Sequence, residues 1–150
     1  MLGRITIDDV RPTTPSGEFP AKAVVGETVD VSADIFRDGH DLLAARVRWR
    51  RLGRSAWRSA PLRSEVNDRW TGSFSPTEQG RHEFVVEAWR DRFATWRHDI
   101  EIKAAAGDDV EIELEEGARI LESLARSVGA RARTRVLEAV AGLRRQSCTL

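Results

Sequence analysis

The sequence predicts a mainly β fold with C-terminal α structure: an immunoglobulin-like antiparallel β-sandwich followed by the start of a helical bundle. Three observations carry that expectation. Segments with apolar residues at every second position recur at intervals of about ten residues, separated by Gly, Pro and Asp. From Gly107 the apolar spacing changes to the 3.5-residue rhythm of an amphipathic helix. The chain has 150 residues, 41% of them hydrophobic and five of them Trp, enough for a real core.

Arg4 to Val10 reads as a short strand burying Ile5 and Ile7. The following RPTTPSGEFP (11–20) is too rich in Pro to be regular structure and makes a loop. After a turn at Gly26-Glu27, Thr28 to Phe36 sets Val29, Val31, Ala33 and Ile35 against Asp30, Ser32 and Asp34. Arg37 to Asp41 is a polar loop. Arg46 to Leu52 turns Val47 and Trp49 inward and Arg46, Arg48 and Arg50 outward, and Ala56 to Leu62 pairs back on it through a turn at Gly53. Asp68 to Ser75 turns Trp70, Gly72 and Phe74 inward. Ser75 to Gly80 is a turn into a final hairpin, with Phe84 to Trp89 as one arm and Ala94 to Lys103 as the other. In the second arm Ala94, Trp96, His98, Ile100 and Ile102 alternate with polar residues, and Trp89 and Trp96 make this hairpin the expected centre of the core. The total is about seven or eight strands.

Two domains follow from this pattern, a sandwich over residues 1–105 and a helical segment over 106–150. Asp108 with Glu111 forms a capping box, Val110, Leu114, Gly117, Leu121, Leu124 and Val128 recur on one face, and Gly129 closes the helix. VEIEL (110–114) also alternates, so a strand there is the competing reading. A second helix carries Val136, Leu137, Val140 and Leu143 on one side. Such stripes need a cover. Val110, Leu114, Leu121, Leu124, Val128, Val136 and Val140 are therefore candidate interface residues, facing the sandwich, further helices or a second chain.

Catalytic chemistry finds no candidate. The three His lack the spacing of a metal site, no Ser lies in a G-x-S-x-G turn, and no phosphate-binding or dinucleotide loop is present. The expectation is no catalytic, metal or cofactor-binding residue. One cysteine, Cys148, excludes a disulfide framework. Formal net charge is zero, which gives no argument for nucleic acid or a membrane surface. There is neither a signal-peptide pattern nor an apolar run of the ~20 residues that a membrane span needs. A cytoplasmic protein is expected. The outward arginines 46, 48, 50 and 51 could grip phosphate, but a solvated face or an intersubunit contact fits better, because acidic residues are spread evenly elsewhere. Trp57 is out of phase with the core faces and is a candidate for stacking on a sugar ring or anchoring a domain contact.

Several stretches carry a resemblance: GRITIDDVRP (3–12), FPAKAVVGE (19–27), IFRDGHD (35–41), Phe74-Ser75-Pro76, Gly80 to Phe84, VEAWRDRFATWRHDIEIK (86–103) and AGDDVEIELEEGARILE (106–122). In this order they resemble the N-terminal region of the bacterial α-1,4-glucan:maltose-1-phosphate maltosyltransferases of the α-amylase clan. The similarity is weaker from Leu52 to Arg69 and after Val128. The resemblance implies a β-sandwich and helical bundle preceding a (β/α)8 catalytic barrel. It implies retaining transfer of maltosyl units from α-maltose 1-phosphate to α-1,4-glucan, by an Asp nucleophile and a Glu acid/base. It also implies a homodimer to which the sandwich and the bundle contribute. The chain stops within the bundle, so no catalytic position carries over, and these residues alone are expected to be inactive. An accessory and dimerisation domain of such an enzyme is the leading expectation. A free-standing α-glucan-binding module, or a protein-interaction module, is the alternative.

Overall fold

The computed structural model describes residues 4–147, so Cys148 lies outside the described residues. The chain divides into two compact units, Met1–Arg90 and Asp91–Leu150. Residues 91–105, expected to complete the sandwich, thus fall in the second unit.

The first unit is built from β1 (Ile5–Arg11), β2 (Val29–Arg37), β3 (Leu43–Arg51), β4 (Arg58–Ser64), β5 (Arg69–Phe74) and β6 (His82–Arg90). Every neighbouring pair is antiparallel, in the order β1-β2-β5-β4-β3-β6. β4 joins two layers. Its first part pairs with β3 (Ala45↔Leu62, Trp49↔Arg58), and its end pairs with β5 (Arg63↔Thr71, Ser64↔Trp70). The outer strands β1 and β6 approach each other, which nearly closes the sandwich. Six strands are present among the described residues, fewer than the count the spacing predicts.

Strict alternation puts Val31, Ala33, Ile35, Ala45, Val47, Leu62, Trp70 and Phe74 in one buried cluster, as their spacing requires. Phe74 lies at its centre, stacked on Trp49 at 5.0 Å between centroids and tilted against Phe84 at 6.1 Å. Trp70 satisfies its indole N–H by donating to the Ile35 carbonyl at 3.2 Å. Edge strand β1 packs Ile5 and Val10 on the cluster, whereas Ile7 is 37% exposed, short of the burial expected for it. A bulge between Asp8 and Arg11 breaks its register. Arg69 ties this side together by donating to Asp9 and Asp34, each at 2.8 Å, and to the Ser32 hydroxyl.

Two expectations about the final hairpin are overturned. Trp89 points outward from β6 and is 43% exposed, because the register with β3 gives the inward positions to Phe84, Val86 and Ala88. Residues 94–103 are not a strand. They lie in helix α1 (Arg92–Ala106), the first element of the second unit. Asp91 caps its start by accepting from the Ala94 N–H at 2.9 Å. Gly107, at φ +79°, ends it in a left-handed turn where its N–H bonds Ala104 and the Asp108 N–H bonds Lys103. Phe93, Trp96 and Ile100, at helical spacing, form the half-buried face, and Ile102 is exposed.

Helices α2 (Glu111–Ala125) and α3 (Ala130–Ser147) complete this unit and bear out the choice of helix over strand at 110–114. Their caps differ from the expected ones. Asp109, not Asp108, accepts from the Glu111 N–H, and Gly129 opens α3, its carbonyl receiving the Arg133 N–H. Arg144, near the end of α3, reaches Glu115 and Glu122 on α2, so the two helices run antiparallel. α2 buries Leu114, Gly117, Ala118, Ile120 and Ala125. Three of these five are small residues that a count of large apolar side chains passes over.

Candidate functional site

Alternation on β3 sends Arg46, Arg48 and Arg50 to the outer face of the sandwich as it sends Ala45, Val47 and Trp49 to the core. The register with β6 sets Glu87 opposite Arg46, Val85 opposite Arg48 and Glu83 opposite Arg50. Cross-strand neighbours on one face of a sheet interact directly, and here they form ion pairs. Glu87 accepts from Arg46 at 2.8 Å and from Arg48 at 2.9 Å, and Glu83 accepts from Arg50 at 2.6 Å. Indole rings flank this row. The Arg50 guanidinium carbon lies 4.4 Å and that of Arg48 5.0 Å from the ring centre of Trp57, which immediately precedes β4. Trp89 holds Arg46 at 5.5 Å in the same way.

The face is therefore a polar row with an aromatic ring toward each end. Ala44, paired with Trp89, and Arg50, near Trp57, are six residues apart on β3, about 20 Å at the rise of a strand. Each guanidinium is committed to a carboxylate and a ring, which fixes rotamers that would otherwise be mobile. A depression of about 360 Å³ lies beside Trp89, bordered by Leu43, Ala44, Ser59, Pro61 and Trp70. A wider cleft of about 780 Å³ separates the loop after β1 from the β5–β6 turn, with Phe19, Val24 and Val25 on its rim.

Hydrogen bonds from Arg48 and then Arg46 hold the Glu87 carboxyl below the usual glutamate range, so it stays ionised. A carboxylate fixed between two cations is a poor general acid. Among the described residues no group of three or more His, Cys, Asp or Glu could hold a metal ion. A depressed pKa means that Glu87 contributes stability above the ordinary glutamate value of about 4.3, and that this contribution fades as pH falls through the folded-state value. Glu87→Gln should therefore be less stable than the native chain at neutral pH, with the gap closing on acidification. Melting temperatures of both proteins across the acid range test this, and parallel curves would refute it.

The expected interface residues are distributed unevenly. Leu114 and Val140 are buried within the helical unit, and Val110, Leu121 and Val136 are half-buried. Leu124 and Val128 are 43% and 37% exposed, and Ile112 and Leu137, not in that set, are 81% and 44% exposed. Trp57 is half-buried on its arginine seat. Sequence reasoning missed Trp89, Glu83 and Glu87, and the parity of β6 against β3 was the signal that would have found them.

Comparison with known proteins yields a consistent set. The family model for α-1,4-glucan:maltose-1-phosphate maltosyltransferase, domain N/S, matches residues 3–149. The Myxococcus xanthus protein of that name is 44% identical over 137 residues, 89% of this chain and 20% of its own length. The Streptomyces coelicolor maltosyltransferase 1 is 43% identical over 150 residues, covering 98% of this chain and 22% of its own. For the Chlorobaculum tepidum maltosyltransferase the figures are 43% over 119 residues, 79% and 18%. The chain thus spans about a fifth of the length of the curated relatives it matches.

Proposed function

This chain belongs to the α-1,4-glucan:maltose-1-phosphate maltosyltransferase family as its domain N/S, and from that membership we propose that it is an accessory and dimerisation domain of such an enzyme. The observation that carries the reading is the match over residues 3–149 combined with coverage of only a fifth of each relative. The catalytic barrel, with its maltose 1-phosphate and α-1,4-glucan sites, would lie in the part of the relatives that this chain does not span. The enzyme would extend a glycogen-like α-glucan, and these 150 residues alone would not transfer maltosyl units. No helix among the described residues is long and apolar enough to cross a membrane, and the proposed compartment is the cytoplasm.

The homodimer part of the reading rests on the exposed apolar side chains of α2 and of the turn after it. Leu124 and Val128 are open to solvent although their neighbours on α2 are buried, as expected of a face covered by another surface. Sedimentation of the 150-residue chain should show self-association. Leu124→Glu, a change at an exposed position, should weaken it by at least about tenfold, or 1.4 kcal/mol. A native chain that stays monomeric at every concentration would sink the dimer reading.

A second reading is favoured by one observation, the fixed seat of Trp57 on Arg48 and Arg50. A half-buried indole held against two guanidinium groups that are themselves ion-paired suits stacking on a glucan ring. The chain should then be retained on amylose, and Trp57→Ala should abolish retention. No retention of the native protein would remove this reading.

A further inference from the structure

The outer face of the sandwich carries a second ring besides Trp57, and the two share one support. Trp89 is 43% exposed near the end of β6 and lies against the Arg46 guanidinium. The depression of about 360 Å³ beside it is bordered by Ala44 of β3 and by Ser59 and Pro61 of β4. β3 runs between β4 and β6, so Trp57, which precedes β4, and Trp89, on β6, lie on opposite sides of it. The rings are thus set diagonally, about 20 Å apart along β3 and about 10 Å across the sheet.

Glu87 connects the two seats. Its carboxylate accepts from Arg46, which carries Trp89, at 2.8 Å and from Arg48, which carries Trp57, at 2.9 Å. Both rings are therefore positioned through one carboxylate before any ligand arrives, and such preorganisation lowers the ordering cost of binding. The row between the rings selects the ligand. Arg46, Arg48 and Arg50 are already ion-paired with Glu83 and Glu87, which leaves no cluster of uncompensated cations for a polyanion. An apolar protein surface would have to desolvate these five charged side chains, which are 29–43% exposed. A neutral, hydroxyl-rich chain keeps them hydrogen-bonded while its apolar ring faces lie on the indoles. Val85, 42% exposed opposite Arg48, adds an apolar contact midway.

We propose that Trp57 and Trp89 are the two ends of one binding track for a linear α-1,4-glucan, with the depression beside Trp89 as a second sugar subsite. This rests on the glucan-binding reading above and adds to it a second subsite and a minimum chain length. A trisaccharide is shorter than the span between the rings and occupies only one of them, whereas an extended heptasaccharide reaches both. Joining two weak contacts in one ligand makes the second intramolecular, which raises affinity well beyond that of either alone.

The test uses the 150-residue chain with maltotriose and maltoheptaose as probes, followed by NMR through the Trp indole N–H signals. Maltoheptaose should bind at least tenfold more tightly than maltotriose and should shift the Trp57 and Trp89 signals together. Trp89→Ala should lower maltoheptaose affinity at least tenfold, to that of maltotriose, while the Trp57 signal still responds. Trp89→Phe, which keeps an aromatic platform, should retain most of the gain. The native signals decide the matter even where Trp89→Ala fails to fold. A Trp57 response without one from Trp89, or equal affinity for the two sugars, would overturn the two-ring track while the glucan reading at Trp57 stands. No response to either sugar would overturn both.

Discussion

Phe74→Ala is expected to destabilise the sandwich by about 3–5 kcal/mol, the loss typical of removing a buried aromatic ring. Phe74 is 7% exposed and is the middle ring of a series that joins β3, β5 and β6 through Trp49 and Phe84. Its removal deletes apolar burial and also two ring–ring contacts, each worth about 0.5–1.5 kcal/mol beyond area. Trp49 and Phe84 belong to strands locked in register by β3–β6 pairing, so they cannot readily close the gap. Set against a whole-domain stability of about 5–15 kcal/mol, the change should bring the unit close to unfolding at ambient temperature. Phe36→Ala supplies the control. That ring is the same size but 44% exposed on the opposite face of β2, and its loss should fall within about 0.5 kcal/mol. Urea unfolding followed by Trp fluorescence compares the two. Equal shifts in midpoint would show that the stacked rings are not the centre of the core.

Phe74 is also among the most legible residues in the sequence. β2, β3 and β5 alternate without ambiguity, so the period of two by itself assigns Val31, Ala33, Ile35, Val47, Trp49, Trp70 and Phe74 inward. β6 is different. Phe84, Val85, Val86 and Trp89 place large apolar groups on both faces, and only the pairing Trp49↔Phe84 decides which face is buried. The same limit hid the candidate site. Trp57 is visibly out of phase, but its seat on Arg48 and Arg50 depends on where β4 lies against β3, a long-range fact.

The segment 94–103 departs from its expected strand for another reason. ATWRHDIEIK satisfies a period of two, and with Phe93 it also satisfies i, i+3, i+7 through Trp96 and Ile100. Side-chain pattern alone does not separate these. The separating signals are at the ends, where Asp91 caps the first turn and Gly107 supplies the left-handed stop. Gly107 marks a change of period in the sequence, and that change is the end of one helix as much as the approach to the next.

The consequence of that helix is a contact on which the second unit depends, and it makes Gly117→Ala an expected loss in spite of helix propensity. In an exposed helix interior Ala is favoured over Gly by about 0.5–1 kcal/mol. At Gly117 an added Cβ would lie 2.1 Å from Cζ2 and 2.3 Å from Cε2 of Trp96, far inside contact distance. The indole is not free to retreat. Its N–H donates to the Glu113 carbonyl at 2.6 Å, and its ring packs on Phe93 at 5.4 Å. Overpacking of this kind costs about 1–3 kcal/mol, which exceeds the propensity gain. α1 should therefore loosen from α2 while the α2–α3 hairpin persists through its Arg144 pairs. Hydrogen exchange should report faster opening of α1 amides in the variant, with Trp96 fluorescence shifted to the red. The decisive comparison is the double variant. In a Trp96→Ala background the obstructing ring is gone, so Gly117→Ala should change sign and stabilise by about 0.5–1 kcal/mol. If Gly117→Ala destabilises equally in both backgrounds, the close approach of Trp96 to the α2 backbone is not what requires glycine there.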